Sequence, residues 1–84
     1  MRFVHVYSMR QEPDRVWSAV PAHVAYWRDL EMPGYLGGPF ADRSGGVITF
    51  EADSLREAER VVAADPFVRE DLLEDFSLRD WLIE

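Results

Sequence analysis

The order of the segments that favour strand and helix constrains this chain most. β-branched and aromatic residues mark four strands, near residues 3–8, 35–40, 47–51 and 75–83. Helical patterns separate the first strand from the second and the third strand from the fourth. This order, βαββαβ, predicts an α+β fold of the ferredoxin-like type, with helices packed against a four-stranded sheet. We expect a single domain over residues 1–84, because a chain of this length has no room for a second core.

Prolines and a capping sequence set the expected helix boundaries. Pro13 suits the first position of the first helix. Because Pro21 lies inside the same segment and has no backbone N–H, we expect a short helical piece at 14–19 and a main helix that starts near Pro21. The second helix is expected to begin at Ser54-Leu55-Arg56-Glu57, which has the capping-box pattern, and to end before Pro66.

The predicted strands carry apolar side chains on both faces of the sheet. In the first strand, Phe3 and Tyr7 point one way, whereas Val4 and Val6 point the other way. The later strands repeat this pattern, with Ile48 and Phe50 opposing Val47, and Phe76, Leu78 and Leu82 opposing Trp81 and Ile83. Two helices cover only one face of such a sheet, and each large apolar side chain left in water forgoes about 1.5–3 kcal/mol. The pattern therefore predicts a homodimer with facing sheets, related by a two-fold axis.

Charge and residue types argue against several classes of partner and chemistry. Sixteen acidic residues against nine Arg give a net charge of −7, with the whole excess in residues 51–84. Such a surface repels phosphate backbones, so we expect no nucleic-acid partner. Without a membrane-length apolar segment or a signal-peptide stretch, we expect a cytoplasmic protein with no membrane partner. The chain has no cysteine, no phosphate-binding loop and no dinucleotide fingerprint, and its two histidines are too few for a three-histidine metal site.

His23 has the most informative position among the polar residues. It shares a helix face with Val20, Trp27 and Leu30, at spacings of three, four and seven residues. From this pattern alone, a core histidine with one hydrogen-bonded nitrogen is favoured over a functional one. The functional alternative is a general acid/base, because the ordinary imidazole pKa of about 6.5 permits proton transfer in both directions near neutral pH. His5 alternates with apolar residues on a strand, where a structural role is favoured.

The spacing leaves two interpretations of Asp65 open. An Asp before Pro is a suitable N-cap for a following helical turn, and this role alone would account for it. The alternative is that Asp65 accepts a hydrogen bond from His23 and fixes the tautomer of its ring. Trp27 and Tyr7 are candidate walls of a ligand-binding pocket, which would suit a flat or ring-shaped molecule.

Five segments of the chain together form a distinctive pattern. In order along the sequence they are Pro21-Ala22-His23-Val24-Ala25-Tyr26-Trp27, Gly37-Gly38-Pro39-Phe40, Gly45-Gly46-Val47-Ile48, Ser54-Leu55-Arg56-Glu57-Ala58-Glu59 and Asp65-Pro66-Phe67-Val68. This pattern resembles the YCII-related (YciI-like) domain family of the dimeric α+β barrel superfamily. The resemblance implies a dimeric α+β barrel with an active site in a cavity between sheet and helices, built on a His–Asp pair that matches His23 and Asp65.

The resemblance also implies a type of chemistry. Members of this family that are tied to a reaction are similar to cofactor-free lyases that remove halide from substituted hydroxyquinones. Many relatives carry Arg where this chain has Val20, a departure that bears on the preference for an anionic substrate group.

Our hypothesis is a small cytoplasmic enzyme of the lyase or isomerase type that uses no cofactor and acts on a small aromatic or enol-like substrate. His23 would be the general base, and Asp65 would hold its ring and stabilise the imidazolium. The alternative is a non-catalytic homodimer that binds a small ligand or serves as an accessory subunit. An oxygen-dependent monooxygenase on the same barrel is a third hypothesis, for which no residue argues specifically.

Overall fold

The computed structural model describes residues 1–84 and contains one antiparallel sheet and three helices. Along the chain the elements are β1 (Arg2–Met9), α1 (Pro13–Leu30), β2 (Leu36–Pro39), β3 (Gly45–Glu51), α2 (Leu55–Ala63), α3 (Pro66–Arg69) and β4 (Leu73–Asp80). The strand order β2-β3-β1-β4 is that of two interleaved split βαβ units. The predicted α+β, ferredoxin-like βαββαβ fold is therefore confirmed. None of the helices combines the length and the apolar character needed to cross a membrane.

Helix α1 runs unbroken through Pro21, so the predicted interruption at this residue is wrong. Pro21 deprives the carbonyl of Trp17 of its helical hydrogen bond, but Trp17 is 77% exposed, so water can bind that carbonyl. Ala19 before the proline and Trp27 after it are both buried in the core. Because both halves of the helix pack against the same core, their burial outweighs the loss of one hydrogen bond. Pro13 occupies the first turn of α1, as predicted.

Side-chain caps start helices α2 and α3. The Ser54 hydroxyl accepts a hydrogen bond from the Glu57 N–H at 3.1 Å, as the capping box predicts. The Glu57 carboxylate accepts in turn from the N–H of Asp53, at 2.9 Å, rather than from that of Ser54. The Asp65 carboxylate accepts a hydrogen bond from the Phe67 N–H at 2.8 Å and so caps α3. Asp65 consequently lies at the junction between α2 and α3.

Strand β4 is displaced towards the N-terminus relative to the prediction and ends at Asp80. Trp81, Leu82 and Ile83 therefore lie beyond the strand, and the prediction that they extend its two apolar faces is wrong. The Trp81 N–H still donates to the carbonyl of Arg2. Because β4 pairs with β1 and β1 begins at Arg2, the residues after Trp81 have no strand backbone to pair with.

The three helices cover one face of the sheet and form the core with it. Phe3, His5 and Tyr7 of β1 are buried on this face, in agreement with the predicted alternation. Large side chains from the other elements complete the core, among them Trp27, Ile48, Phe50, Val62, Phe67 and Leu72. Phe76 of β4 shares this face because it pairs with Tyr7. His5 is thus a polar side chain placed inside an aromatic core.

No helix packs on the opposite face of the sheet, which we call the open face. Its apolar side chains are Val4, Val6, Leu36 and Val47. Val6 is 41% exposed and Leu36 is 73% exposed. Strand β4 adds the polar residues Ser77 and Arg79, because these pair with Val6 and Val4. The open face is apolar at its centre, which agrees with the basis of the predicted homodimer, while the association itself stays a prediction.

Candidate active site

His23 and Asp65 form a hydrogen-bonded pair where α1 meets the start of α3. The Nδ1 atom of His23 lies 2.8 Å from Oδ1 and 2.9 Å from Oδ2 of Asp65. Because a carboxylate only accepts hydrogen bonds, Nδ1 carries the proton and donates it. In the neutral ring, the lone pair is consequently on Nε2. Asp65 therefore makes the contacts of both interpretations: it caps α3, and it accepts a hydrogen bond from His23.

Three donors hold the Asp65 carboxylate, whose side chain is 1% exposed. In addition to His23, the Phe67 N–H donates to Oδ1 at 2.8 Å, and the Trp27 indole N–H donates to Oδ2 at 2.8 Å. A buried carboxylate needs such partners because removing an unpaired charge from water is costly. The carboxylate cannot rotate without losing one of these bonds. Asp65 is therefore a fixed acceptor that sets the orientation of the His23 ring.

Aromatic rings hold the plane of the His23 imidazole. The Phe67 ring stacks on it, with 3.9 Å between the ring centroids and 7° between the planes. Tyr7 approaches with its edge, at a centroid distance of 6.3 Å. The His23 side chain is 12% exposed. Its Nε2 has no hydrogen-bond partner in the protein and, unlike that of His5, is not buried, so it is the nitrogen available to a ligand.

Trp27 and Tyr7, the candidate walls of a ligand pocket, both contact this pair. Trp27 is 1% exposed, donates to Asp65 and stacks on Tyr35 at a centroid distance of 5.7 Å. Tyr7 is 5% exposed, and its burial raises the pKa of the phenol to about 12, so that the hydroxyl stays protonated at neutral pH. The structure thus places Trp27 in the core, in contact with Asp65. Contact of either ring with a ligand stays a prediction.

A surface pocket of about 330 Å³ is lined by Ala22, Pro66, Arg69 and Glu70. Ala22 precedes His23 and Pro66 follows Asp65 in the sequence, but neither His23 nor Asp65 lines this pocket. Arg69 is the positively charged residue that lines this pocket. A second pocket, of about 370 Å³, lies between the end of α1 and the start of α2, and it likewise includes neither histidine. No three His, Cys, Asp or Glu side chains lie together in a way that could hold a metal ion.

Phe67 belongs to this site, although the sequence predicted no functional role for it. Its backbone N–H binds Asp65, and its ring stacks on His23. The signal was present in the Asp-Pro-Phe segment, since Pro66 starts a helical turn in which the second residue lies beside the capping carboxylate. The 42-residue separation between His23 and Asp65 gave no such local signal for their contact.

This chain is similar to a protein family, to a curated protein and to a solved structure. The family model for the YCII-related domain matches residues 1–82. The uncharacterized protein YjpA of Bacillus subtilis (strain 168) is 40% identical over 47 residues, which are 56% of this chain and 54% of that protein, so the match spans about half the length of YjpA. The structure of TftG, a 5-chloro-2-hydroxyhydroquinone dehydrochlorinase from Burkholderia phenoliruptrix AC1100 in complex with 2,5-dihydroxybenzoquinone, superposes with a TM-score of 0.83. The identity is 26%, over 98% of this chain and 94% of that chain.

Proposed function

Because this chain belongs to the YCII-related domain family, we propose that it is a small enzyme of the lyase or isomerase type. Its substrate would be a small aromatic or enol-like molecule, and the reaction would need no cofactor. The observation that carries this proposal is the geometry of His23, whose Nδ1 is held by a buried carboxylate while Nε2 is available. The likeness to a dehydrochlorinase supports the reaction class.

In the proposed mechanism, His23 moves a proton and Asp65 stabilises the imidazolium that forms. Nε2 takes the proton of a ring hydroxyl and returns it to the ring carbon that carries the leaving group, which converts the enol into its keto form. A halide on that carbon then leaves with its bonding electron pair, as a second hydroxyl gives its proton to Nε2, which releases it to the solvent. Asp65 stays ionised and keeps Nδ1 protonated, so one nitrogen serves as base and then as acid.

We also propose that the active form is a homodimer joined through the open face of the sheet. The apolar centre of that face supports the proposal, because Val6 and Leu36 are exposed in the single chain. Burying such side chains between two copies recovers the free energy that they forgo in water. The dimer would place two His23–Asp65 pairs on the outer, helix-covered sides of the paired sheets.

A non-catalytic ligand-binding module is the second candidate, and the burial of the pair favours it. His23 is only 12% exposed, and every polar atom of Asp65 is satisfied within the protein. A histidine and a carboxylate that stabilise each other need no substrate to explain their presence. The two candidates use the same residues and differ in whether a proton moves through Nε2.

The replacement His23→Gln separates these candidates. Glutamine retains an N–H group that can bind Asp65 but removes the base. With 5-chloro-2-hydroxyhydroquinone as the substrate, we expect kcat for chloride release to fall by about 10²–10⁴-fold, while circular dichroism shows an unchanged fold. Arg28→Gln, on the exposed side of the same helix, is the matched control and should leave kcat unchanged.

Two results would contradict the enzyme proposal. Unchanged turnover in His23→Gln would mean that another group is the base. A wild-type protein that binds 2,5-dihydroxybenzoquinone but turns over no halogenated hydroquinone would favour the ligand-binding module.

A further inference from the structure

His5 is a buried histidine with one ring nitrogen left without a partner. Its Nδ1 lies 3.1 Å from the carbonyl oxygen of Ser77, which can only accept, so Nδ1 carries the proton. Nε2 of the neutral ring therefore has a free lone pair. The residue is 1% exposed, and this Nε2 is the one buried side-chain nitrogen or oxygen in the protein that has no hydrogen-bond partner. Such an atom is costly to bury and requires an explanation.

The position of His5 connects it with the candidate active site. It lies on the helix-covered face of β1, two residues from Tyr7, and the two rings stack with 5.2 Å between centroids. The same Tyr7 ring meets His23 at 6.3 Å. Burial lowers the pKa of the His5 ring and so favours its neutral form. His5 is thus an uncharged acceptor in the aromatic cluster that surrounds the His23–Asp65 pair.

We propose that Nε2 of His5 accepts a hydrogen bond from a hydroxyl group of the ligand that binds at His23. This inference rests on the function proposed above and adds His5 as a second residue that contacts its substrate. One hydroxyl would meet Nε2 of His23 and a second would meet Nε2 of His5. A site with an unpaired buried acceptor discriminates strongly against ligands that lack the matching donor, because the acceptor then stays unsatisfied.

Phe76 is a half-exposed side chain in contact with the His5 ring. It pairs with Tyr7 across β1 and β4, and its ring meets the His5 ring edge to face, with 5.5 Å between the centroids. Phe76 is 47% exposed, whereas Tyr7, the other ring in contact with His5, is buried. Displacement of one half-exposed side chain would therefore open the route to Nε2 without a change in the backbone.

Nitrogen-15 NMR of histidine-labelled protein tests this inference with two neutral probes, hydroquinone and 4-methoxyphenol. The probes differ in one methyl group, which removes the second donor. We expect hydroquinone to shift the Nε2 signals of both His23 and His5 and 4-methoxyphenol to shift only that of His23. Hydroquinone should also bind at least about tenfold more tightly, which corresponds to one hydrogen bond.

The replacement His5→Phe provides a second readout. Phenylalanine retains ring contacts with Tyr7 and Phe76 but removes the unpaired acceptor. We expect a melting temperature equal to or above that of the wild type, together with a loss of the tenfold preference for hydroquinone. His5→Leu is the second variant and should show the same loss of preference if the phenylalanine protein does not fold.

Several outcomes would overturn the inference. An Nε2 signal of His5 that is already hydrogen-bonded in the free protein would mean that water satisfies it. If hydroquinone saturates His23 and leaves His5 unchanged, the inference on His5 fails while the proposed function stands. If neither histidine responds to either probe, the proposed ligand class fails as well.

Discussion

Replacement of Asp65 by Asn tests which nitrogen of His23 carries the proton in the His23–Asp65 pair. Asparagine caps helices as well as aspartate does, so α3 retains its N-cap. The amide has only one oxygen, and three donors converge on this side chain, from His23, Trp27 and Phe67. With the oxygen at the Oδ1 position, where it accepts from the Phe67 N–H, the amide N–H₂ group takes the position of Oδ2. There it faces the indole N–H of Trp27 and also lies against Nδ1 of His23, which is within reach of both positions.

The two donors respond differently to this conflict. His23 can move its proton from Nδ1 to Nε2 and accept a hydrogen bond from the amide, which leaves no lone pair on the nitrogen that faces the ligand. The indole N–H of Trp27 has no alternative state and loses its partner. A buried unpaired donor costs about 1–3 kcal/mol, and the loss of charge in the remaining bonds adds to this, so we expect the free energy of unfolding to fall by about 2–4 kcal/mol.

The consequence for activity follows from the tautomer. A histidine with its proton on the wrong nitrogen is not a base, and the corresponding change in serine proteases lowers kcat by about 10⁴-fold. We expect Asp65→Asn to lower kcat for chloride release from 5-chloro-2-hydroxyhydroquinone by about 10²–10⁴-fold. Nitrogen-15 NMR of His23 should show protonation at Nε2 instead of Nδ1, and urea unfolding should report the loss of stability.

Asp42→Asn is the matched control for this experiment. Asp42 also accepts from a backbone N–H two residues ahead, that of Ser44, but it is exposed and contacts no histidine. We expect this variant to resemble the wild type in stability and turnover. If Asp65→Asn retains the Nδ1–H tautomer and wild-type turnover, the argument that Asp65 sets the base is refuted.

The open face, the buried phenol and one glycine give three further predictions. Val6→Glu should shift sedimentation from a dimer towards the 9.7 kDa monomer, whereas Val24→Glu on the exposed side of α1 should not, and a wild-type monomer would refute the dimer. Because burial raises the pKa of Tyr7 to about 12, the protonated phenol stabilises the fold below pH 10 and this contribution disappears as the pH rises towards 12. The free energy of unfolding measured in urea should therefore fall between about pH 10 and 12, and it should fall less in Tyr7→Phe. Gly45→Ala should lower stability by about 1–3 kcal/mol in thermal unfolding, because a Cβ there would overlap the Tyr7 carbonyl, whereas Gly38 has open space and its replacement should be neutral.

Local signals predicted much of the fold, because they act over a few residues. The Ser54 cap, the Pro13 start and the alternation of Phe3 and Tyr7 in β1 each depend on neighbours in the sequence, and each was predicted correctly. The element order followed from them. The α+β class therefore needed no knowledge of long-range contacts.

The wrong predictions concern features of the structure that depend on contacts between residues far apart in the sequence. The unbroken path of α1 through Pro21 depends on burial on both sides of the proline, which no window of the sequence contains. The end of β4 depends on where its partner β1 begins, and a register shift between Ser8 and Met9 further displaces their pairing. The unpaired Nε2 of His5 also depends on distant residues, because only the packing of the core shows that no donor lies within hydrogen-bond distance of it.

Helix α3 has only four residues, and its first turn supplies both the acceptor and the stacking ring of the His23 site. Transient opening of this one turn would release the imidazole from both contacts at once. The exchange rate of the Phe67 amide proton with deuterated solvent therefore measures how often the contacts of Asp65 and Phe67 with His23 open.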